Sequence, residues 1–143
     1  MRENSKVREA NLKGFQDVHF DRGCGLYIGK KRTDLFVIDI QTGRATSDGY
    51  KRIYREDPNL LVGEIGNSKY ILDPNPFDCK KLSEGFQKIS KLDNLIIGER
   101  NGSKYIFDPL SRRVLGEGYD DLFLLDHLIV GELEGYKYIL DLN

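Results

Sequence analysis

Four times along this chain an apolar triplet runs into a glycine, and ten residues after that glycine stands an aspartate. The four copies are Leu26-Tyr27-Ile28-Gly29…Asp39, Leu60-Leu61-Val62-Gly63…Asp73, Leu95-Ile96-Ile97-Gly98…Asp108 and Leu128-Ile129-Val130-Gly131…Asp141. Successive glycines lie 34, 35 and 33 residues apart, so one short unit is repeated through almost all of the 143 residues. A repeat of this period means that neighbouring copies share one continuous core.

Each copy reads as a hairpin. Between its two apolar runs lie Arg32-Thr33, Gly66-Asn67, Asn101-Gly102 or Glu134-Gly135. Asn-Gly between apolar runs is a strong hairpin signal, because a tight type I′ turn needs positive φ at both central positions. A two-residue turn fixes the register of the strands it joins. Glu64 then falls opposite Lys69, Glu99 opposite Lys104 and Glu132 opposite Lys137. One step further in, Gly29, Gly63, Gly98 and Gly131 fall opposite Phe36, Tyr70, Tyr105 and Tyr138. The expectation is that each ring lies over the glycine across from it, and that each Glu pairs with its cross-strand Lys.

The strands are apolar at consecutive positions, as in Leu60-Leu61-Val62 and Tyr105-Ile106-Phe107, so both of their faces are expected to be buried. Ahead of each hairpin comes a Gly-aromatic pair with an apolar residue three places after the ring: Gly14-Phe15…Val18, Gly49-Tyr50…Ile53, Gly85-Phe86…Ile89 and Gly118-Tyr119…Leu122. After the hairpin comes a turn, started by the side chain of the repeated Asp, and then a basic segment. Those segments are Arg44-Ala45-Thr46, Lys80-Lys81-Leu82 and Arg112-Arg113-Val114-Leu115. Basic residues guard sheet edges, so this fourth strand belongs outermost. The unit is thus four short strands, with no length left for a helix.

The expected fold is all-β: one domain of repeats 14–48, 49–84, 85–117 and 118–143. The last repeat stops after its third strand, and Ser5–Ala10 resembles the missing fourth, so residues 5–12 are expected to close a four-bladed β-propeller. A closed barrel or prism of hairpins is the alternative. The unit also resembles the bacterial WG β-repeat. Tyr119-Asp120-Asp121 matches its opening, and Lys137-Tyr138…Leu140-Asp141 its later part, with similar pieces at Lys104-Tyr105 and Lys69-Tyr70. Tyrosine stands here for that repeat's tryptophan, and Ile for the glycine after it. The resemblance implies an interaction module rather than a catalyst.

A formal net charge of −1 removes the electrostatic drive for nucleic acid. No apolar run approaches the ~20 residues of a membrane helix, and no secretory signal is expected. Cys24 and Cys79 match no metal spacing and read as free thiols of a cytoplasmic protein. His19 and His127 read as structural, no catalytic constellation is present, and neither a cofactor nor a metal is expected. The repeated Glu and Asp residues read as structural too.

Folding explains where the repeats agree, so function is sought where they differ. The start of the first strand carries Gln16, Lys51, Gln87 or Asp120, and the hairpin tips carry Ile65, Arg100, Leu133 and Tyr136. These are the expected contacts to a partner protein, made by a chain that can act as a monomer. A small-ligand binder, lectin-like with a site in every repeat, is the alternative.

Overall fold

The computed structural model describes residues 14–141. Among them are fourteen strands and no helix, arranged in four antiparallel sheets, one per repeat. The first sheet holds β1 (Asp17–Asp21), β2 (Leu26–Lys31), β3 (Asp34–Asp39) and β4 (Arg44–Ala45). The second holds β5 (Arg52–Asp57), β6 (Leu60–Ile65) and β7 (Ser68–Leu72). In the third are β8 (Lys88–Leu92), β9 (Leu95–Arg100), β10 (Ser103–Asp108) and β11 (Arg113–Tyr119), and in the fourth β12 (Asp121–Leu125), β13 (Leu128–Leu133) and β14 (Tyr136–Leu140). No sheet closes on itself. Residues 5–12, the expected closing strand, lie outside the described residues. The chain forms two compact units, the first two sheets (through Glu84) and the last two (from Gly85). No described helix is long and apolar enough to cross a membrane.

The hairpin register is the expected one throughout. Gly29 pairs with Phe36, Gly63 with Tyr70, Gly98 with Tyr105 and Gly131 with Tyr138, one step inside Glu64–Lys69, Glu99–Lys104 and Glu132–Lys137. Positive φ occurs at the first turn residue of all four hairpins (Arg32, Gly66, Asn101 and Glu134), but at both turn residues, as expected of a type I′ turn, only where the second is glycine: Gly102 and Gly135, not Thr33 or Asn67. Asp39, Asp73 and Asp108 start their turns as expected, each accepting the N–H two residues on (Gln41, Asn75 and Leu110) at 3.0 Å. The basic fourth strand is outermost in the first and third sheets. In the second it shrinks to a bridge between Leu72 and Lys81, flanked by Asp73 N–H to Lys80 O and Leu82 N–H to Ile71 O.

Three expectations need correction. The ring that covers each repeat glycine is not the one across the hairpin but the one that opens the unit. A side chain at Gly98 would meet the Phe86 ring at 2.5 Å, and Tyr50 and Tyr119 hold the same place over Gly63 and Gly131. The cross-strand rings reach forward instead: Phe36 covers Gly49 and Tyr105 covers Gly118, the glycines that open the next unit. The reason is the path of the chain. Tyr50 still exchanges backbone hydrogen bonds with Leu35 of the first sheet, while Lys51 donates to Glu64 O of the second. Tyr119 and Asp120 repeat that switch between the third and fourth sheets. The opening ring therefore sits in the corner between two sheets, over the glycine of the second.

The charged residues also look beyond their hairpin. Lys104 reaches Asp121 at 2.9 Å, and Glu64 meets Arg52 at 3.6 Å and the Tyr54 hydroxyl at 3.3 Å. Lys104, on an inner strand of the third sheet, thus reaches the first strand of the fourth, while Glu64 turns to the other neighbouring strand of its own sheet.

Within each unit, one face of the leading sheet packs on the opposite face of the following one. Leu26, Ile28 and Val37 meet Tyr50, Ile53, Leu61 and Leu72, with Cys24 and Cys79 in the same cluster. Ile97 and Ile106 meet Leu122, with Tyr119, Ile129 and Leu140 against them. Burial on both faces, expected of every hairpin, holds for Leu60-Leu61-Val62 but fails in the fourth sheet, where Leu124, Leu125, Leu128, Tyr138 and Ile139 are exposed.

Candidate interaction site at the hairpin tips

Gln16, Lys51, Gln87 and Asp120 each stand one residue before a first strand, and all four are exposed. Their backbone N–H groups donate to Lys30 O, Glu64 O, Glu99 O and Asp120's neighbour across the sheet, Glu132 O, at 2.7 to 2.8 Å. This anchors the start of the strand beside the hairpin tip of the same sheet.

Two of these side chains then hold the tip itself. Gln87 Oε1 accepts the N–H of Asn101 at 2.9 Å, and Asp120 Oδ2 accepts the N–H of Glu134 at 2.9 Å. Both acceptors thus satisfy the first residue of a turn that the strand ladder leaves over. Lys51 reaches the hairpin of the preceding sheet, 2.6 Å from Thr33 Oγ1 and 2.9 Å from Asp34 Oδ1. A sequence reading assigned these residues to recognition alone. Their buttressing of the turns was hidden, because it requires the first strand of a sheet and the hairpin turn of the next two strands to lie side by side.

The tips so held present varied chemistry. Arg100 stacks its guanidinium 5.1 Å from the centre of the Tyr105 ring and 6.0 Å from that of Phe86. Leu133 pairs with Tyr136 across the last tip; Leu133 is half-buried and Tyr136 is 70% exposed. Ile65 is exposed at the end of β6. The structure therefore brings Gln87 beside the Arg100 hairpin and Asp120 beside the Leu133–Tyr136 pair, with Lys51 against the first hairpin. Close by, the Lys104 ammonium holds the Asp121 carboxyl below its usual range, and the hydrogen bond to Asp121 raises Lys104 in return.

The thiols offer no reactive group. Both are free and buried. Burial raises the Cys24 thiol and pushes Cys79 up to about 12, so both stay protonated at neutral pH, the opposite of what a nucleophile requires. Among the described residues no three His, Cys, Asp or Glu converge as a metal set.

Sequence reading missed one feature of the first unit. Phe20 and Tyr27, edge to face at 5.1 Å, line an apolar cleft of about 200 Å³ with Ile38, Ile40 and Phe77. These rings do not recur at equivalent places, so periodicity could not flag them. No protein-family model matches the chain, and no curated protein matches it either.

Proposed function

We propose that the protein is a non-enzymatic binding module whose partner is another protein, gripped by the hairpin tips. The observation that carries this reading is the locking of those tips. Gln87 and Asp120 fix two turns by side-chain acceptors, so Arg100, Leu133 and Tyr136 are presented on backbone that is already ordered. Pre-ordering lowers the entropy lost on binding. Arginine and tyrosine are also the residues that most often anchor protein interfaces.

The fold reading that accompanies it is a small four-bladed β-propeller of WG-like repeats, at work in the cytoplasm, where two free thiols are at home. The one-sheet-per-repeat order and the face-to-face packing within each unit support the blade assignment. If residues 1–12 complete the ring, their deletion will lower the melting temperature sharply; an unchanged melt overturns that closure.

The functional test is affinity capture from native lysate with the parent and with an Arg100→Ala/Tyr136→Ala variant. A protein retained by the parent and lost by a variant of unchanged melting temperature is the expected result. Several equivalent small-molecule sites per chain, found in a glycan and metabolite thermal-shift panel with no protein retained, would establish the lectin-like alternative.

A further inference from the structure

Three aromatic residues without counterparts in the other repeats meet in the first unit. Phe20 and Tyr27 are paired across β1 and β2. The same pair of positions holds Arg55 and Leu61 in the second sheet, Lys91 and Ile96 in the third, and Leu124 and Ile129 in the fourth. The four-strand unit therefore requires no ring at either place. The third residue is Phe77, carried by the connection that follows β7. Lys80 follows Asp73 by seven positions there, whereas Arg44 follows Asp39 and Arg113 follows Asp108 by five. Hydrogen bonds hold the added length in place. Asp73 Oδ1 accepts the N–H of Asn75 at 3.0 Å, Asn75 Oδ1 accepts that of Phe77 at 2.9 Å, and Pro76 O accepts from Thr46 Oγ1 at 2.9 Å. Two successive Asx turns and a tie to the residue after β4 thus fix where Phe77 stands.

The three rings line one cleft of about 200 Å³. Phe20 and Tyr27 are inclined at 67° with centroids 5.1 Å apart, so they form two walls set at an angle. Phe20 is 49% and Phe77 63% exposed, so the cleft is reached from solvent. Its charge is one-sided. Among the described residues the lining holds one carboxylate, Asp39, and no Lys, Arg or His. Arg44 stands opposite Asp39 across the strands but is not part of the lining.

Aromatic walls with a carboxylate beside them suit a cation, because ring faces carry negative potential. A bare ammonium is strongly hydrated and gives up its water reluctantly. An alkylated ammonium spreads its charge over methyl groups that can pack against rings. A neutral apolar group would fill the same space but draw nothing from the carboxylate. We propose that this cleft binds a methylated ammonium group, packed against Phe20, Tyr27 and Phe77 with Asp39 as its counter-ion. Phe20 lies near the end of β1 and Tyr27 near the start of β2, away from the Arg32-Thr33 turn. The site is thus separate from the hairpin tips and does not rest on their reading.

Choline is the probe, titrated into the full chain and read by calorimetry and by the ring resonances of Phe20 and Tyr27. Saturable binding at one site per chain is the expected result. The neutral isostere dimethylbutanol, in which carbon replaces the nitrogen, should bind about tenfold more weakly. Phe77→Leu keeps an apolar wall without a ring and should weaken choline binding about fivefold. Asp39→Asn removes the charge but keeps a side chain that starts the same turn. It should weaken choline about threefold and leave the isostere unchanged. Both variants should melt like the parent. A peptide carrying trimethyl-lysine locates the source of the group: tighter binding than choline assigns it to a protein side chain, and equal or weaker binding to a free ion. Absence of saturation by choline and peptide alike overturns the proposal. So does an isostere that binds as well as choline, or a folded variant that keeps parental affinity.

Discussion

The pentapeptide Lys-Tyr-Ile-Leu-Asp occurs twice, and its two copies meet different fates. In β7 it lies in the interior: Ile71 and Leu72 are 1% exposed, and Asp73 is buried with its side chain starting a turn. In β14 Tyr138 and Ile139 face outward. The pentapeptide and its hairpin register are shared, so neither decides burial. What differs is the strand beyond. Residues 80–83 satisfy the outer amides of β7 and put Cys79 into the corner behind it, whereas among the described residues β14 ends its sheet. A strand's sequence states how it can be buried; the neighbouring chain decides whether it is.

That contrast is sharpest in paired substitutions. Ile71→Ala should destabilise by about 2–5 kcal/mol, the range for emptying a packed aliphatic site. Ile139→Ala should stay within about 0.5 kcal/mol, as exposed positions do. Urea unfolding of both variants checks this at low protein concentration, and equal losses would mean that the two strands are equally buried. An alkaline titration probes the covering strand. With its folded pKa raised to about 12, Cys79 adds stability that is complete below the usual thiol range and is lost as the pH climbs toward 12. Melting temperature should therefore fall across that window, and Cys79→Ala should flatten the fall; a slope unchanged by the substitution would show that burial does not govern this thiol.

A small effect is also expected in the second unit at Lys104–Asp121, a pair with substantial exposure on the Asp side. Asp121→Asn should cost less than about 1 kcal/mol. The sign of its pH dependence is defined. The lowered Asp121 contributes above the usual carboxylate range and is lost as pH falls through its depressed value. The raised Lys104 contributes below the usual ammonium range and is lost as pH rises through its elevated one. Melts at acid, neutral and alkaline pH in low and high salt will show both limbs if the pair contributes, and Asp121→Asn should remove them.

Within the candidate site, what was legible was position. Gln16, Lys51, Gln87 and Asp120 do stand at the starts of first strands, and Arg100, Leu133 and Tyr136 do lie at hairpin tips, because turn chemistry and repeat spacing locate both. Their side-chain partners were not legible. Gln87 and Asn101 are 14 residues apart, as are Asp120 and Glu134, and they meet only because β8 pairs with β9 and β12 with β13. The cleft of Phe20 and Tyr27 was invisible for a related reason: a feature present in one repeat leaves no periodic trace.

By itself the sequence determined the backbone of one hairpin: positive φ at the first turn residue, the register that sets Gly opposite an aromatic residue, the Asp-started turns and the basic edge segment. These are contacts between residues close along the chain, where a two-residue turn leaves a single pairing that satisfies backbone and side chains together. Tertiary structure decided what happens between hairpins. It put the Phe86 ring rather than Tyr105 over Gly98, sent Lys104 to Asp121, and buried Ile71 while leaving Ile139 exposed. Each of those outcomes depends on where the chain goes after it leaves a sheet. That path is set by the packing of whole faces, which no stretch of a few residues encodes.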